Sequence, residues 1–414
     1  MRAAHGTARH TADERGGGGG VRIDGRTVRA VNGLTARWAQ EVPADGTGTA
    51  FSAVGVWPLL AFLADGAGGR AREELAGAVG LDASEAAGAA RGLLAVLEGE
   101  PALRLALGLW TRRTLEVRSS WLERLAPGTH GVLTGDPRAD SAALDAWAAG
   151  RTGGGIDRMP VPVREDTEMV LATALTVATE WHRPFVSGHL CPESGPWRDL
   201  EVPALYRSGT VPERLVLADT PHGAVTGLTV MGREGVDVRL LLGEDSAGPG
   251  RVLRSGLDVL EHRRPVVRGS ELPFGEPGPG IEVRHALRTV AGPPTLDVTT
   301  VPFAVTGDHD LTRHPGLFGL TAFLDTGRGH LPGVSDQPLA LSAAAQKATA
   351  AFGERGFRAS AVTAFAMTAG GAPPVTRHRV TEVRVRFDRP FGFLAVHRRS
   401  GLVLAAGWVN APGG

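Results

Sequence analysis

The run Asp308-His309-Asp310 sets two carboxylates beside an imidazole, the donor types that hold a divalent metal ion. Adjacent residues on a strand or turn point to different sides, however, so the run is expected to be a polar turn before a helix at Leu311. Glu165 and Asp166 could share general acid–base work, but they follow Pro160 and Pro162 and read as a solvated loop. Cys191 with one of the 13 histidines could form a nucleophile pair; nothing local supports that, and an inert thiol is expected. As the only cysteine, Cys191 excludes an intrachain disulfide and a zinc cluster of thiolates. There is no His-Glu-x-x-His, no Gly-x-Ser-x-Gly elbow, no Cys-x-x-Cys and no Gly-x-Gly-x-x-Gly after a strand. Lys347 is the only lysine and no glycine precedes it, so a Gly-Lys-Ser/Thr phosphate loop is out. Asn32 and Asn410 are the only asparagines, and neither opens an Asn-x-Ser/Thr sequon. The residues call for no cofactor and no metal.

The elements that must position any site belong to a large globular chain. Its 414 residues hold 44 basic and 44 acidic side chains, a net charge of zero. That balance gives no reason to expect nucleic acid or an anionic membrane surface as partner. The 58 glycines, the many alanines and the near-exclusive use of arginine reflect a GC-rich coding background, so the arginine excess is not read as phosphate binding. The longest apolar stretches, such as residues 56–64, are far short of a membrane span. Residues 1–20 carry Arg2, Arg9 and Arg15 but no apolar run before the glycine tract 16–20, so no signal peptide is visible. Residues 1–27 are expected to be a disordered leader, 28–412 the folded domain, and the protein a cytoplasmic monomer.

Val28, Val31, Thr35, Trp38 and Val42 fall at helical spacing, and residues 58–64 are apolar all round, which predicts a buried helix. Residues 70–79, 85–97 and 141–149 read as further helices. Leu103, Leu105, Leu107 and Leu109 alternate as in a half-buried strand, and residues 169–179 read as a central strand. Later strands are expected at 225–230, 236–242, 296–305, 380–387, 391–397 and 402–409. Helices come first and strands dominate later, which argues for α+β in one unit.

An ordered series of short motifs stands above this background. Phe51-Ser52-Ala53 leads into the apolar helix, and Gly66-Ala67-Gly68-Gly69-Arg70 follows. Leu144-Asp145-Ala146-Trp147 precedes Thr152-Gly153-Gly154-Gly155-Ile156, and the strand from Met169 ends in Trp181-His182-Arg183-Pro184-Phe185. Leu331-Pro332-Gly333-Val334-Ser335, Gln346-Lys347-Ala348, Glu354-Arg355-Gly356, Phe387-Asp388-Arg389-Pro390-Phe391 and Gly407-Trp408-Val409-Asn410 complete it.

In order and spacing the series resembles the serpin family, and it suggests a divergent bacterial member. The resemblance implies an α+β fold with three β-sheets and eight or nine helices, and an exposed reactive loop before the C-terminal strands. It also implies a function: inhibition of a serine or cysteine protease, whose cut releases the loop to enter the central sheet as a new strand. The implied hinge runs through Glu354, Gly356, Phe357, Arg358, Ala359, Ser360, Ala361, Val362 and Thr363, whose small and β-branched members suit insertion. Counting sixteen positions from Glu354 puts the scissile bond at Gly370-Gly371, with Phe365 and Met367 as alternative bait residues. The implied sheet-opening region is Ser52, Thr173, Trp181, Gln346 and Lys347.

Two departures weigh against inhibition. Where the family has threonine or serine after the hinge glycine, this chain has Phe357, which must displace packed neighbours as the loop enters, at a cost of roughly 1–3 kcal/mol. Thr173 and Gln346 stand where the family has asparagine and histidine, so the hydrogen bonds controlling sheet opening are either rebuilt or lost. The alternative is a non-inhibitory serpin fold reused for a small-molecule ligand or an unusual reaction in a bacterial biosynthetic pathway, with His182, Glu180 and Asp308 as candidate polar residues.

Overall fold

The structure is a computed structural model that describes residues 23–44, 48–325, 329–339, 341–357 and 378–412. The first half alternates helix and strand: α1 (Gly25–Gln40), β1 (Thr49–Phe51), α2 (Ala53–Gly66), α3 (Gly69–Val79), α4 (Ala83–Leu97), β2 (Leu103–Arg112), α5 (Ser119–Leu122), β3 (His130–Leu133), α6 (Pro137–Thr152) and β4 (Met169–Val177). Strands then take over: β5 (Thr179–Glu180), β6 (Val186–Leu190), β7 (Val202–Gly209), β8 (Leu215–Thr220), β9 (Gly223–Met231), β10 (Val236–Leu242), α7 (Pro249–Leu260), β11 (Val266–Arg268), β12 (Gly275–Gly278) and β13 (Ile281–Arg288). Last come β14 (Thr295–Thr300), β15 (Phe303–Asp310), α8 (Pro315–Phe318), β16 (Leu341–Phe352), β17 (Gly356–Phe357), β18 (His378–Arg386), β19 (Phe391–His397) and β20 (Leu402–Val409). The α+β class and the three sheets match the expectation, and eight α-helices fall among the described residues.

One sheet runs β1-β20-β19-β10-β9-β8-β11 and a second β12-β13-β18-β14-β7-β6. The third, the central sheet, has the order β3-β2-β4-β16-β17-β5, with β15 on the other side of β16. β19 and β20 are buried at every position, which explains their unbroken apolar sequences. α2 lies between them and the central sheet. It is buried almost throughout, and Ser52 caps it by accepting from the Gly55 N–H.

Several elements differ from the sequence reading. Helix α1 starts at Gly25, capped by Asp24, so the folded part begins before residue 28; residues 1–22 lie outside the described residues. Residues 296–305 form two strands, because Val301-Pro302 breaks the ladder between β14 and β15. β2 is covered on both faces, since α6 packs over Ala106 and Gly108, where a Cβ on Gly108 would meet Trp147 at 2.8 Å. Asp308, His309 and Asp310 end strand β15 and do not form a turn, because they pair with Lys347, Gln346 and Ala345 of β16.

Candidate functional site

The seam between β4 and β16 is the most constrained part of the central sheet. The two strands pair directly and in parallel, from Leu341 opposite Met169 to Thr349 opposite Thr176. Facing the core at mid-seam, Thr173 and Gln346 are both fully buried. The Gln346 amide grips the backbone of Ser52 at both ends: Ser52 N–H donates to Oε1 at 2.7 Å, and Nε2 donates to the Ser52 carbonyl at 2.8 Å. Nε2 also reaches Thr173 Oγ1 at 3.2 Å, and Ser52 Oγ donates to the Leu404 carbonyl at 2.6 Å. The polar network is therefore rebuilt around an amide, whose donor and acceptor lie side by side. Gly55, which the sequence reading did not single out, makes room for it: a Cβ there would meet Thr173 Oγ1 at 2.6 Å and Gln346 Nε2 at 2.9 Å.

Lys347 points to the opposite face of β16, away from this network, and its Nζ lies 2.9 Å from Asp308 Oδ1 across the strand pair. It is a cross-strand ion pair and does not belong with Ser52, Thr173 and Gln346.

At the end of the seam the strands part. After Phe352 the chain turns tightly, with Gly353 N–H donating to the Gly356 carbonyl at 2.9 Å, and β17 comes back between β16 and β5. Phe357 stands opposite Phe352 on one side and Thr179 on the other, and Gly356 stands opposite Glu180. Only glycine fits at 356, since a Cβ would collide with the Thr179 carbonyl oxygen. Trp181 closes this end, its indole N–H donating to the Gly353 carbonyl at 2.9 Å and its backbone N–H to the Arg355 carbonyl at 2.8 Å. Glu354 accepts from Ser187 Oγ at 2.8 Å, and its carbonyl accepts from the Phe185 N–H at 2.9 Å. Glu234 holds the facing edge through Thr179 Oγ1 at 2.5 Å and the Glu180 N–H at 2.9 Å, and these bonds lower its pKa against the opposing effect of burial.

Phe357 is fully buried, and its ring centroid lies 5.9 Å from that of Phe393. Phe352 joins the same nest, with Trp181 at 4.8 Å and Phe185 and Phe303 each at 5.5 Å. The expected clash of Phe357 on loop entry is thus corrected: the ring is already housed in the intact chain. Arg358, Ala359, Ser360, Ala361, Val362, Thr363, Phe365, Met367, Gly370 and Gly371 lie outside the described residues.

The matches to known proteins agree with this geometry. The family model "Serpin (serine protease inhibitor)" matches residues 29–193 and 295–412. The chain belongs to the serpin family. A serpin-Z6C of Oryza sativa subsp. japonica is 25% identical over 431 residues, covering 93% of this chain and 95% of its own. Among solved structures, the thermophilic serpin tengpin in its native state superposes with a TM-score of 0.73 at 14% identity, covering 94% of this serpin and 95% of tengpin. Thyroxine-binding globulin in complex with thyroxine gives 0.68 at 18% identity, with 94% and 99% covered. Native protease nexin-1 with heparin gives 0.67 at 17%, again with 94% and 99% covered.

The other sequence candidates stay apart in the serpin. Glu180 and His182 sit beside the hinge, whereas Asp308 lies five residues along β15 from Phe303, roughly 17 Å down the sheet. No metal-ligating cluster of three or more side chains occurs among the described residues. Glu165 and Asp166 are exposed, as is Cys191. His309 turns inward, its Nε2 2.8 Å from the Ala50 carbonyl, and lines a cavity of about 600 Å³ with Trp38, His314 and Phe318. No described helix is long and apolar enough to cross a membrane.

Proposed function

We propose that this serpin inhibits a serine or cysteine protease by offering the segment after Phe357 as bait and inserting it into the central sheet once cut. The observation that carries this reading is the seam itself. β4 and β16 pair directly along their length, yet Gly356 and Phe357 already lie between β16 and β5 at one end. A strand growing from Phe357 would replace a single β4–β16 ladder by two. Each backbone hydrogen bond gained contributes about 0.5–1.5 kcal/mol net, so some ten of them supply on the order of 10 kcal/mol. The scissile bond is assigned to Gly370-Gly371, with Phe365 and Met367 as the alternatives, and the target protease is the partner of a monomer.

A second reading rests on Phe357. A hinge anchored by a fully buried aromatic ring suits a serpin fold that holds its loop, and the cavity beside His309 would then take a small ligand. Thyroxine-binding globulin, solved with thyroxine, lends this reading an example of a bound small molecule on the same fold.

Incubation with a panel of serine and cysteine proteases, followed by denaturing electrophoresis, separates the two. Inhibition predicts a band at the summed mass that survives denaturation, and mass spectrometry of the released peptide gives the cut site. Turnover of the loop by every protease, without such a band, leaves the ligand reading.

A further inference from the structure

Two groups of three arginines lie on or beside the sheet that contains β7, β13, β14 and β18, and only one of them has paired carboxylates. Arg284, Arg288 and Arg384 converge on Glu382, itself only 3% exposed, at 2.9, 2.8 and 2.5 Å. At the other side of the sheet, beside the hinge, lie Arg207 on β7, the exposed Arg183 between β5 and β6, and Arg214 just after β7, the last two near enough to Arg207 to act on its charge. The Arg207 guanidinium lies 4.2 Å over the Phe185 ring, and its Nη1 donates to the Arg183 carbonyl at 3.1 Å. Arg183 donates from Nη2 to the Ser208 carbonyl at 3.0 Å and rests on Gly209, where a Cβ would meet its Nη1 at 3.1 Å. These contacts fix two of the guanidiniums while using few of their N–H donors. No ion pair to any of the three occurs among the described residues, and residues 358–377 contain no aspartate or glutamate. Arg207 is partly buried; that burial, and then the nearby Arg214 and Arg183, hold its pKa down to about 10.

We infer that Arg183, Arg207 and Arg214 form a binding site for a small oxyanion, a phosphate or sulfate group, standing where Glu382 stands among the other three arginines. Planar guanidiniums held by neighbouring backbone present paired N–H donors to tetrahedral oxyanions. The arginine content of the chain does not enter the argument; two guanidiniums held in place, with a third arginine near them and no carboxylate paired to any, do. The site stands whether or not the hinge drives inhibition.

The test is titration of the intact protein with inorganic phosphate and with sulfate, at an ionic strength held constant with chloride, read by calorimetry and by melting temperature. Saturable one-to-one binding and a rise in Tm are expected. Arg207→Gln should weaken binding about tenfold or more, and Arg183→Gln or Arg214→Gln should each weaken it several-fold. Arg399→Gln, an exposed arginine at the β19–β20 turn, should leave it unchanged. The Arg214 variant carries the test should Arg207→Gln fail to fold. Phosphoserine in a parallel titration tells a free ion from an esterified group: equal affinity means that the site accepts the group on a larger molecule. Equal response of wild type and all three variants, or binding of a sulfated polysaccharide while free phosphate and sulfate stay inert, would overturn the assignment.

Discussion

At the middle of the central sheet the strands are tied to α2 by a polar triad, Ser52, Thr173 and Gln346; at its end the same strands part around Phe357 and a nest of aromatic rings. The contrast is one of directed against undirected contacts. Each bond of the triad has a required geometry, and breaking one leaves a buried group unmet. The rings gain chiefly by buried area, the Trp181 N–H to the Gly353 carbonyl being the directed bond among them. If the proposed insertion occurs, the polar middle would act as a catch that opens by a few discrete bonds, while at the apolar end Phe357 is already seated.

The largest test of this contrast is cleavage between residues 358 and 377. If the catch opens once the loop is free, the cleaved protein melts roughly ten degrees above the intact one, in line with a gain on the order of 10 kcal/mol in a chain of this length. Equal melting temperatures would mean that the triad stays closed and that insertion does not occur.

Next in size is the apolar end. Phe357→Ala should lower the stability of the intact protein by about 3–5 kcal/mol in chemical denaturation, because it empties a fully buried ring site. Phe357→Thr, which restores the family's residue, should lose a similar amount, since the small side chain leaves the same ring site unfilled. A Phe357→Ala variant as stable as wild type would show that the hinge is not held in the nest.

The triad should respond more modestly and more specifically. Gln346→Ala strands the Ser52 N–H, at about 1–3 kcal/mol, leaves the Ser52 carbonyl with the Gly55 N–H as its donor, and should speed sheet opening after cleavage. Gln346→His should recover only part of this loss, because an imidazole carries its donor and acceptor on separate ring nitrogens, whereas the amide holds both at one end. Full recovery by histidine would break the argument that the amide geometry matters.

The smallest expected effect is on pH dependence. Burial lowers the pKa of His309, a shift partly opposed by its bond to the Ala50 carbonyl and by Asp308 and added to by His314. A histidine depressed in the folded state is protonated first in the unfolded chain. Stability should therefore be full above the ordinary value of about 6.5 and fall as the pH drops below it. Asp308, Glu41 and His314 line the same cavity, so His309→Gln serves as the control: its melting temperature should fall less between pH 7.5 and pH 5.

The long apolar elements were legible because their chemistry leaves little choice. Residues 391–397 and 402–409 are strands to the residue, buried on both faces by a sequence with no polar side to turn outward. The break at Val301-Pro302 was not legible, since an apolar run hides a corner that only the missing proline N–H enforces. α7 was not among the expected elements; the proline at its first position, Pro249, is the signal that could have found it. At the site, Trp181 and Ser52 were found through their motif positions. Gln346 left open whether the network was rebuilt or lost, because a sequence names a side chain but not the partner 294 positions away that uses both ends of its amide. Gly55 carried no signal at all; its meaning lies in the two polar atoms that would strike its Cβ.

The direct pairing of β4 with β16 also sets the order in which the molecule is built. The bond from Gln346 to Thr173 closes a span of 173 positions, and parallel strands so far apart meet only after the chain between them has organised. The seam is thus expected to be the last part of the central sheet to form. During that interval Phe357 is already tethered at one end of the gap, where an inserting loop, as proposed, would compete with β4 for one edge of β16. Which of them arrives first, rather than which product has the lower free energy, decides the state in which the newly made chain is trapped.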